Sequence, residues 1–134
     1  MLTVFVVASG KPDANFDKTV ESFNKSGVEF TAHLISSWRE INNFDAKGDW
    51  FCVFWDNEGL DDNLQKALAA HLLNRVPDVL VLYKRLDDKN AEYRTRFMRK
   101  GIWLSNDYKP ISPWVIHETI LDGWVIDHGV NNTH

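Results

Sequence analysis

The sequence predicts an α/β single domain spanning residues 1–134, with a mostly parallel sheet flanked by helices. Three observations carry that prediction. Trp50–Trp55 is an unbroken apolar run of aromatic and β-branched residues, bounded in front by Lys47-Gly48-Asp49 and behind by Asp56-Asn57-Glu58-Gly59. Such a run suits a strand buried on both faces, the condition a helix-covered parallel sheet produces. Thr3–Ile35 reads strand, helix, strand, the pattern of a right-handed crossover. A chain of 134 residues, 44% hydrophobic and 25% charged, has the length and composition of one globular core.

The elements follow in order. Thr3–Ala8 is apolar and reads as a first strand; without a basic lead it does not resemble a secretory signal. Asp13 or Asn15 can cap a helix whose apolar face is Phe16, Val20 and Phe23, closed by Gly27. Val28–Ile35 is the second strand. Ser36-Ser37 can cap a short helix from Trp38 to about Phe44. After the central run, Asp61-Asp62-Asn63 starts a helix with Leu64, Leu68 and Leu72 at four-residue spacing, stopped by Pro77. Val79–Tyr83 is a strand and Arg85–Asn90 a charged turn. Tyr93–Arg99 and Ile102-Trp103-Leu104 read as two strands across the Lys100-Gly101 turn. Asn106–Pro113 is a loop and Trp114–Glu118 a short strand or helix. Asp122-Gly123 signals a tight turn before Trp124–His128, and the last six residues are polar and expected to fray.

Composition excludes several classes. The net charge of −4 argues against a nucleic-acid surface. No stretch approaches the roughly 18 apolar residues of a membrane-spanning helix. The lone Cys52 sits mid-strand and predicts a reducing, cytoplasmic setting. Basic residues cluster between Lys84 and Lys100, which reads as a solvated face or, alternatively, as an anion site for a phosphate-bearing ligand. Six tryptophans exceed what a core this small easily hides, pointing to a sugar-stacking wall or a protein contact.

Two clusters carry candidate chemistry. Asp56 and Glu58 lie at i and i+2 where the central strand ends, so both can face one hard cation, magnesium or manganese. The plainer account is an acidic helix-start turn. His117-Glu118 and Asp127-His128 form the second cluster, offering a general base and a further ligand.

The order of these pieces resembles the family 2 glycosyltransferases of the GT-A nucleotide-sugar fold. Ala46-Lys47-Gly48-Asp49-Trp50 followed by the acidic turn through Glu58 and Leu60 is similar to that family's A-x-G-D-W … D-x-D-E-x-L segment. Arg96-Phe97-Met98-Arg99-Lys100-Gly101 is similar to its R-L-F-R-R-G turn. Val115-Ile116-His117-Glu118, Asp122-Gly123 and Ile126-Asp127-His128 are similar to its closing V-H-E … G … I-x-H. The resemblance implies a GT-A-like domain that moves a sugar from a nucleotide-diphosphate donor to a glycan acceptor. It implies a divalent metal, manganese or magnesium, held by Asp56, Glu58 and His128, diphosphate contacts from Arg96 and Arg99, and Glu118 as the catalytic base. The sequence departs from that pattern on the donor side. Aligned on Glu58 and Leu60, the metal-motif aspartates fall on Trp55 and Asn57; a one-residue slip recovers Asp56 with Glu58. No acid follows the second strand at Ile35-Ser36-Ser37. These departures support a second expectation, a catalytically inactive binding or assembly module such as a virion or complex component. A third is carbohydrate binding without transfer. At about half the length such enzymes use, a protein partner or a second copy is expected to complete the surface.

Overall fold

The computed structural model describes residues 1–44, 48–105, 108–111 and 115–128. Nine strands form: β1 (Leu2–Val7), β2 (Phe30–Ile35), β3 (Trp50–Trp55), β4 (Glu58–Leu60), β5 (Val79–Arg85), β6 (Ala91–Arg99), β7 (Trp103–Leu104), β8 (Pro110–Ile111) and β9 (His117–Asp127). Two α-helices, α1 (Phe16–Asn24) and α2 (Asp62–Leu73), and a 3₁₀ helix over Trp38–Asn43 complete the described residues. Seven strands build one sheet in the order β2-β1-β3-β6-β5-β9-β4, while β7 and β8 pair separately.

The mostly parallel, helix-flanked GT-A-like sheet expected from the sequence is not what forms. The sheet is mixed and curled toward a half-barrel. β1–β2, β1–β3 and β5–β9 are parallel, whereas β3–β6, β5–β6 and β4–β9 are antiparallel. The expectation rested on two-sided burial of the central strand, and that burial is real. Trp50, Cys52 and Phe54 enter one core with α1 and α2; Phe51 and Val53 enter a second one with the 3₁₀ helix segment and Leu104. A central strand of a mixed sheet meets the same condition, so burial alone does not fix strand direction.

The curl follows from chain length. β3 is third in the sheet and β4 seventh, yet only Asp56 and Asn57 separate them. Four flat strand spacings would cover about 19 Å. Three Cα steps from Trp55 to Glu58 reach at most about 11 Å. The sheet therefore has to bend until its far edge meets the end of β3.

Local signals place the helices as read. Asn15 caps α1 by accepting from Lys18 N at 3.2 Å, and Asp61 caps α2 by accepting from Leu64 N at 2.8 Å. Ser37 and Glu40 make a reciprocal capping box on the 3₁₀ helix. Asp122-Gly123 is not a turn: both lie inside the eleven-residue β9. Gly123 is there because α2 crosses β9 closely; a Cβ at this position would lie 2.5–2.7 Å from Leu64 Cβ, Cα and N. Ile102–Leu104 does not pair with β6; β7 pairs with β8 instead. Ala46-Lys47, Asn106-Asp107, Ser112–Trp114 and the final six residues lie outside the described residues. No helix among the described residues is long and apolar enough to cross a membrane.

The Gly123 contact gives a direct test. Gly123→Ala forces α2 away from β9 and is expected to cost about 2 kcal/mol, as overpacking at backbone does. Urea unfolding read by circular dichroism measures this as a lowered midpoint at unchanged slope.

Candidate functional site

The site forms where the curl brings β4 back to the carboxyl end of β3. Glu58 opens β4, and its carboxylate turns inward to four donors. Oε1 accepts from Arg96 Nη1 at 2.6 Å and from Trp55 N at 2.9 Å; Oε2 accepts from Lys84 Nζ at 2.7 Å and Arg96 Nη2 at 3.0 Å. Lys84 Nζ also reaches Asp127 Oδ1 at 3.0 Å, and Asn57 Nδ2 donates to the same oxygen at 2.7 Å. Four strands, β4, β5, β6 and β9, thus meet in one network of charge. Arg96 is fully buried, and Glu58 and Lys84 are nearly so.

Burial alone would raise the Glu58 carboxyl. The Arg96 charge, then the hydrogen bonds from Arg96 and Lys84, overcome it and bring the group down to about 2. Burial opposes the Lys84 and Arg96 charges as well, but their bonds to Glu58 leave both pKa values raised. All three are charged at neutral pH.

Asp56 clips the loop between β1 and α1. Its Oδ1 accepts from Ser9 N at 2.9 Å and Ser9 Oγ at 2.5 Å, and its carbonyl accepts from Asn15 N at 2.7 Å. His128 pairs through Nε2 with Thr19 Oγ1 at 2.9 Å, while Thr19 donates to the Glu58 carbonyl at 2.7 Å. Burial, followed by the Lys18 charge, lowers the His128 pKa. The three side chains thus have separate partners: Asp56 with Ser9, Glu58 with Arg96 and Lys84, and His128 with Thr19. Four donors occupy the Glu58 carboxylate, and no three His, Cys, Asp or Glu among the described residues are grouped to hold a metal ion.

The remaining candidates separate into two ends of the sheet. Arg96 is at the network. Arg99 is at the opposite end, stacked 4.0 Å over Trp50 and bonded to the carbonyls of Pro77 at 3.1 Å and Asn74 at 2.5 Å. Glu118 accepts from Asn74 Nδ2 at 3.1 Å near the start of β9, nine residues before Asp127. β9 is bulged between Ile120 and Val125: Glu118 lies opposite Leu80 and Val125 opposite Lys84, so four residues of β5 and two more of β9 put Asp127 about 20 Å from Glu118. Glu118 and Arg99 therefore do not share a site with Asp56 and Glu58.

A cleft of about 440 Å³ opens at the network. Asn57, Glu58 and Lys84 line it, together with Ser9, Lys11, Trp38, Arg39, Trp55 and Arg94. Lys11 and Arg39 are exposed and make no ion pair among the described residues; Arg94 Nε is 3.1 Å from Glu92. Asn57 is 2% exposed, and its Oδ1 has no hydrogen-bond partner among the described residues. A second groove of about 380 Å³ shares Trp38, Trp55 and Arg94 and continues past Tyr93 and Tyr108. Tyr108 sits between the two indoles, 5.4 Å from Trp38 and 6.0 Å from Trp55.

The basic cluster and the tryptophans prove to be linked. Arg39 lies 4.7 Å over Trp38, Arg99 4.0 Å over Trp50, Arg94 5.0 Å over Trp55 and Arg85 4.8 Å over Trp124. Sequence reasoning missed Lys11, Arg39 and Asn57 as site residues, while Lys84 and Arg94 belong to the basic cluster it offered as an alternative anion site. Lys84 carried a signal: it follows Leu80 and Leu82 at period two and so belongs on their buried face.

The Glu58 network makes stability acid-sensitive in a defined window. Its folded pKa near 2 lies below the ordinary 4.5, so its contribution is full above pH 4.5 and disappears as pH falls toward 2. The expected loss is about 3 kcal/mol, read from urea midpoints across that range. Glu58→Gln leaves two buried cations with a neutral partner. It is expected to cost about 3–5 kcal/mol at pH 7 and to flatten the acid limb.

No model of a known protein family matches this chain, and no curated protein matches it.

Proposed function

We propose that the chain is a binding module whose cleft takes an anionic, ring-bearing ligand of the nucleotide or sugar-phosphate class, and that it does so without metal-assisted sugar transfer. The observation that carries this reading is the division of charge at the cleft. The acid that the transfer reading needs for a cation is committed to Arg96 and Lys84, and Glu92, the other acid lining the cleft, to Arg94, whereas Lys11 and Arg39 line it without acid partners among the described residues. Phosphate oxygens suit those cations, as charge-assisted bonds are the stronger ones. The aromatic groove beside the cleft suits the flat part of the ligand.

The amides at the start of the 3₁₀ helix discriminate this from a phosphate site at a helix start. Arg39 N donates to Ser37 Oγ at 3.3 Å, and the amides just ahead of the helix, Ser36 N and Ser37 N, donate to Glu40 Oε2 at 2.8 and 2.9 Å. The cations on side chains, not the helix terminus, therefore supply the anion contacts.

Titration with uridine diphosphate, a uridine-diphosphate sugar and inorganic phosphate tests the reading by calorimetry and by the shift in Tm, each with EDTA and with manganese. A nucleotide is expected to bind in EDTA, raising Tm as any ligand selective for the folded state does. The Lys11→Ala/Arg39→Ala variant is expected to weaken it by about tenfold or more, the scale of losing charged hydrogen bonds. Binding only with manganese, or release of free nucleotide from the sugar donor, would restore the transfer reading. No binding by any of the three ligands would end the proposed one.

A further inference from the structure

The two edges of the seven-stranded sheet are finished differently. At the β4 edge, α1 supplies the missing partners: Thr19 Oγ1 donates to the Glu58 carbonyl at 2.7 Å, and Leu60 N donates to Ser22 Oγ at 3.2 Å. At the β2 edge, no strand or side chain does the same among the described residues. The parallel register with β1 decides which groups are left over. Leu2 N donates to the Glu29 carbonyl and Ala8 N to the Ile35 carbonyl, so the odd-numbered residues of this stretch face β1. The N–H and C=O groups of Phe30, Ala32 and Leu34 consequently point outward.

That edge lacks the usual guards against pairing. Phe-Thr-Ala-His-Leu-Ile contains no charged residue at neutral His, no proline and no bulge. Phe30, Ala32 and Leu34 share one face at period two, and Leu34 is 55% exposed.

We infer that the β2 edge is a self-pairing surface, and that its partner is the β2 strand of a second copy of this chain, antiparallel about a two-fold axis at Ala32. The sequence is self-complementary in that register. Ala32 meets the partner copy's equivalent residue, so the smallest side chain sits at the axis. Phe30 then lies opposite the second copy's Leu34 and covers the exposed leucine, and the reverse holds across the axis. Each of the three pairs is of the hydrogen-bonded kind, because both members direct N–H and C=O outward. A heterologous peptide would satisfy the same backbone, but nothing in β2 selects its side chains, whereas the second copy supplies the match. One six-residue strand pair buries less than a standard interface, so the association is weak and reversible. It is independent of the ligand reading, since β2 contributes no residue to the network around Glu58.

Sedimentation equilibrium over about 10 μM to 1 mM, the range suited to a small interface, tests this. The expected result is growth from the 15.5-kDa chain mass to twice that value. Leu34→Lys, at a position exposed enough to keep the fold, is expected to weaken the dimer at least tenfold with unchanged circular dichroism. Leu121→Lys, at an equally apolar site 78% exposed on β9, is expected to leave it intact. Amide exchange at Phe30, Ala32 and Leu34 is expected to slow as concentration rises. A chain monomeric at the highest concentration, a dimer indifferent to Leu34→Lys, or exchange at these amides independent of concentration would each overturn the inference.

Discussion

The structure depends on one carboxylate holding a bent sheet closed. The two-residue link from β3 to β4 demands the curl, but a demand from chain length does not say where the returning edge must land. Glu58 does: its two oxygens are met by β6 through Arg96 and by β5 through Lys84, with the Trp55 amide closing the turn itself. Buried ion pairs of this kind contribute little net stability when compared with well-packed apolar groups, because desolvation consumes most of the attraction. Their value lies in being intolerant of a wrong register. A slip of β4 by one residue would put Gly59 where Glu58 stands and leave Arg96 and Lys84 buried without a counter-charge.

The cleft is a consequence of that closure. A bent sheet leaves a hollow where β1, β2 and β3 end and the returning β4 begins, and the side chains committed to the bend form its floor. Aromatic and cationic groups line the wall as pairs: Trp55 with Arg94, Trp38 with Arg39, and Tyr108 wedged between the indoles with its hydroxyl bonded to the Thr95 carbonyl at 2.9 Å. Stacking holds each guanidinium in place with its N–H groups at the edge, where Arg94 Nε meets Glu92 Oε1 at 3.1 Å. Four of the six tryptophans carry an arginine over the ring, and Arg85, Arg94 and Arg99 among these arginines belong to the Lys84–Lys100 run.

What the sequence made legible was local. The strands β1, β2 and β3, both α-helices and their caps at Asn15 and Asp61 follow from apolar spacing and capping chemistry within a few residues. The failures lie where meaning depends on distant partners. Glu58–Leu60 is too short for a period of two to show and read as an acidic turn. Asp122-Gly123 has the composition of a turn, yet Gly123 exists to let Leu64 approach β9. Strand direction was lost because burial on both faces is common to parallel and mixed sheets. At the site, proximity in sequence misled in the same way. Asp56 and Glu58 are two residues apart, but one side chain faces Ser9 and the other faces Arg96. Glu118 and His128 looked like parts of one cluster until β9 proved to be a single long strand that keeps them at its two ends.

Asn57 ties the ligand reading to the fold. Its Nδ2 holds Asp127 at 2.7 Å, its carbonyl accepts from His128 N at 2.8 Å, and its backbone is half of the link that forces the curl. Its Oδ1 is buried and has no hydrogen-bond partner among the described residues, in a side chain that the turn has already fixed. The bonds of its amide explain why an asparagine can stand here where an aspartate would not serve. A second acid beside Asp127 and Glu58 would compete for Lys84, and its amide donor to Asp127 would be gone. A neutral residue at this position keeps the charge of the network balanced and leaves the cations at the cleft mouth, Lys11 and Arg39, to meet whatever charge the ligand brings.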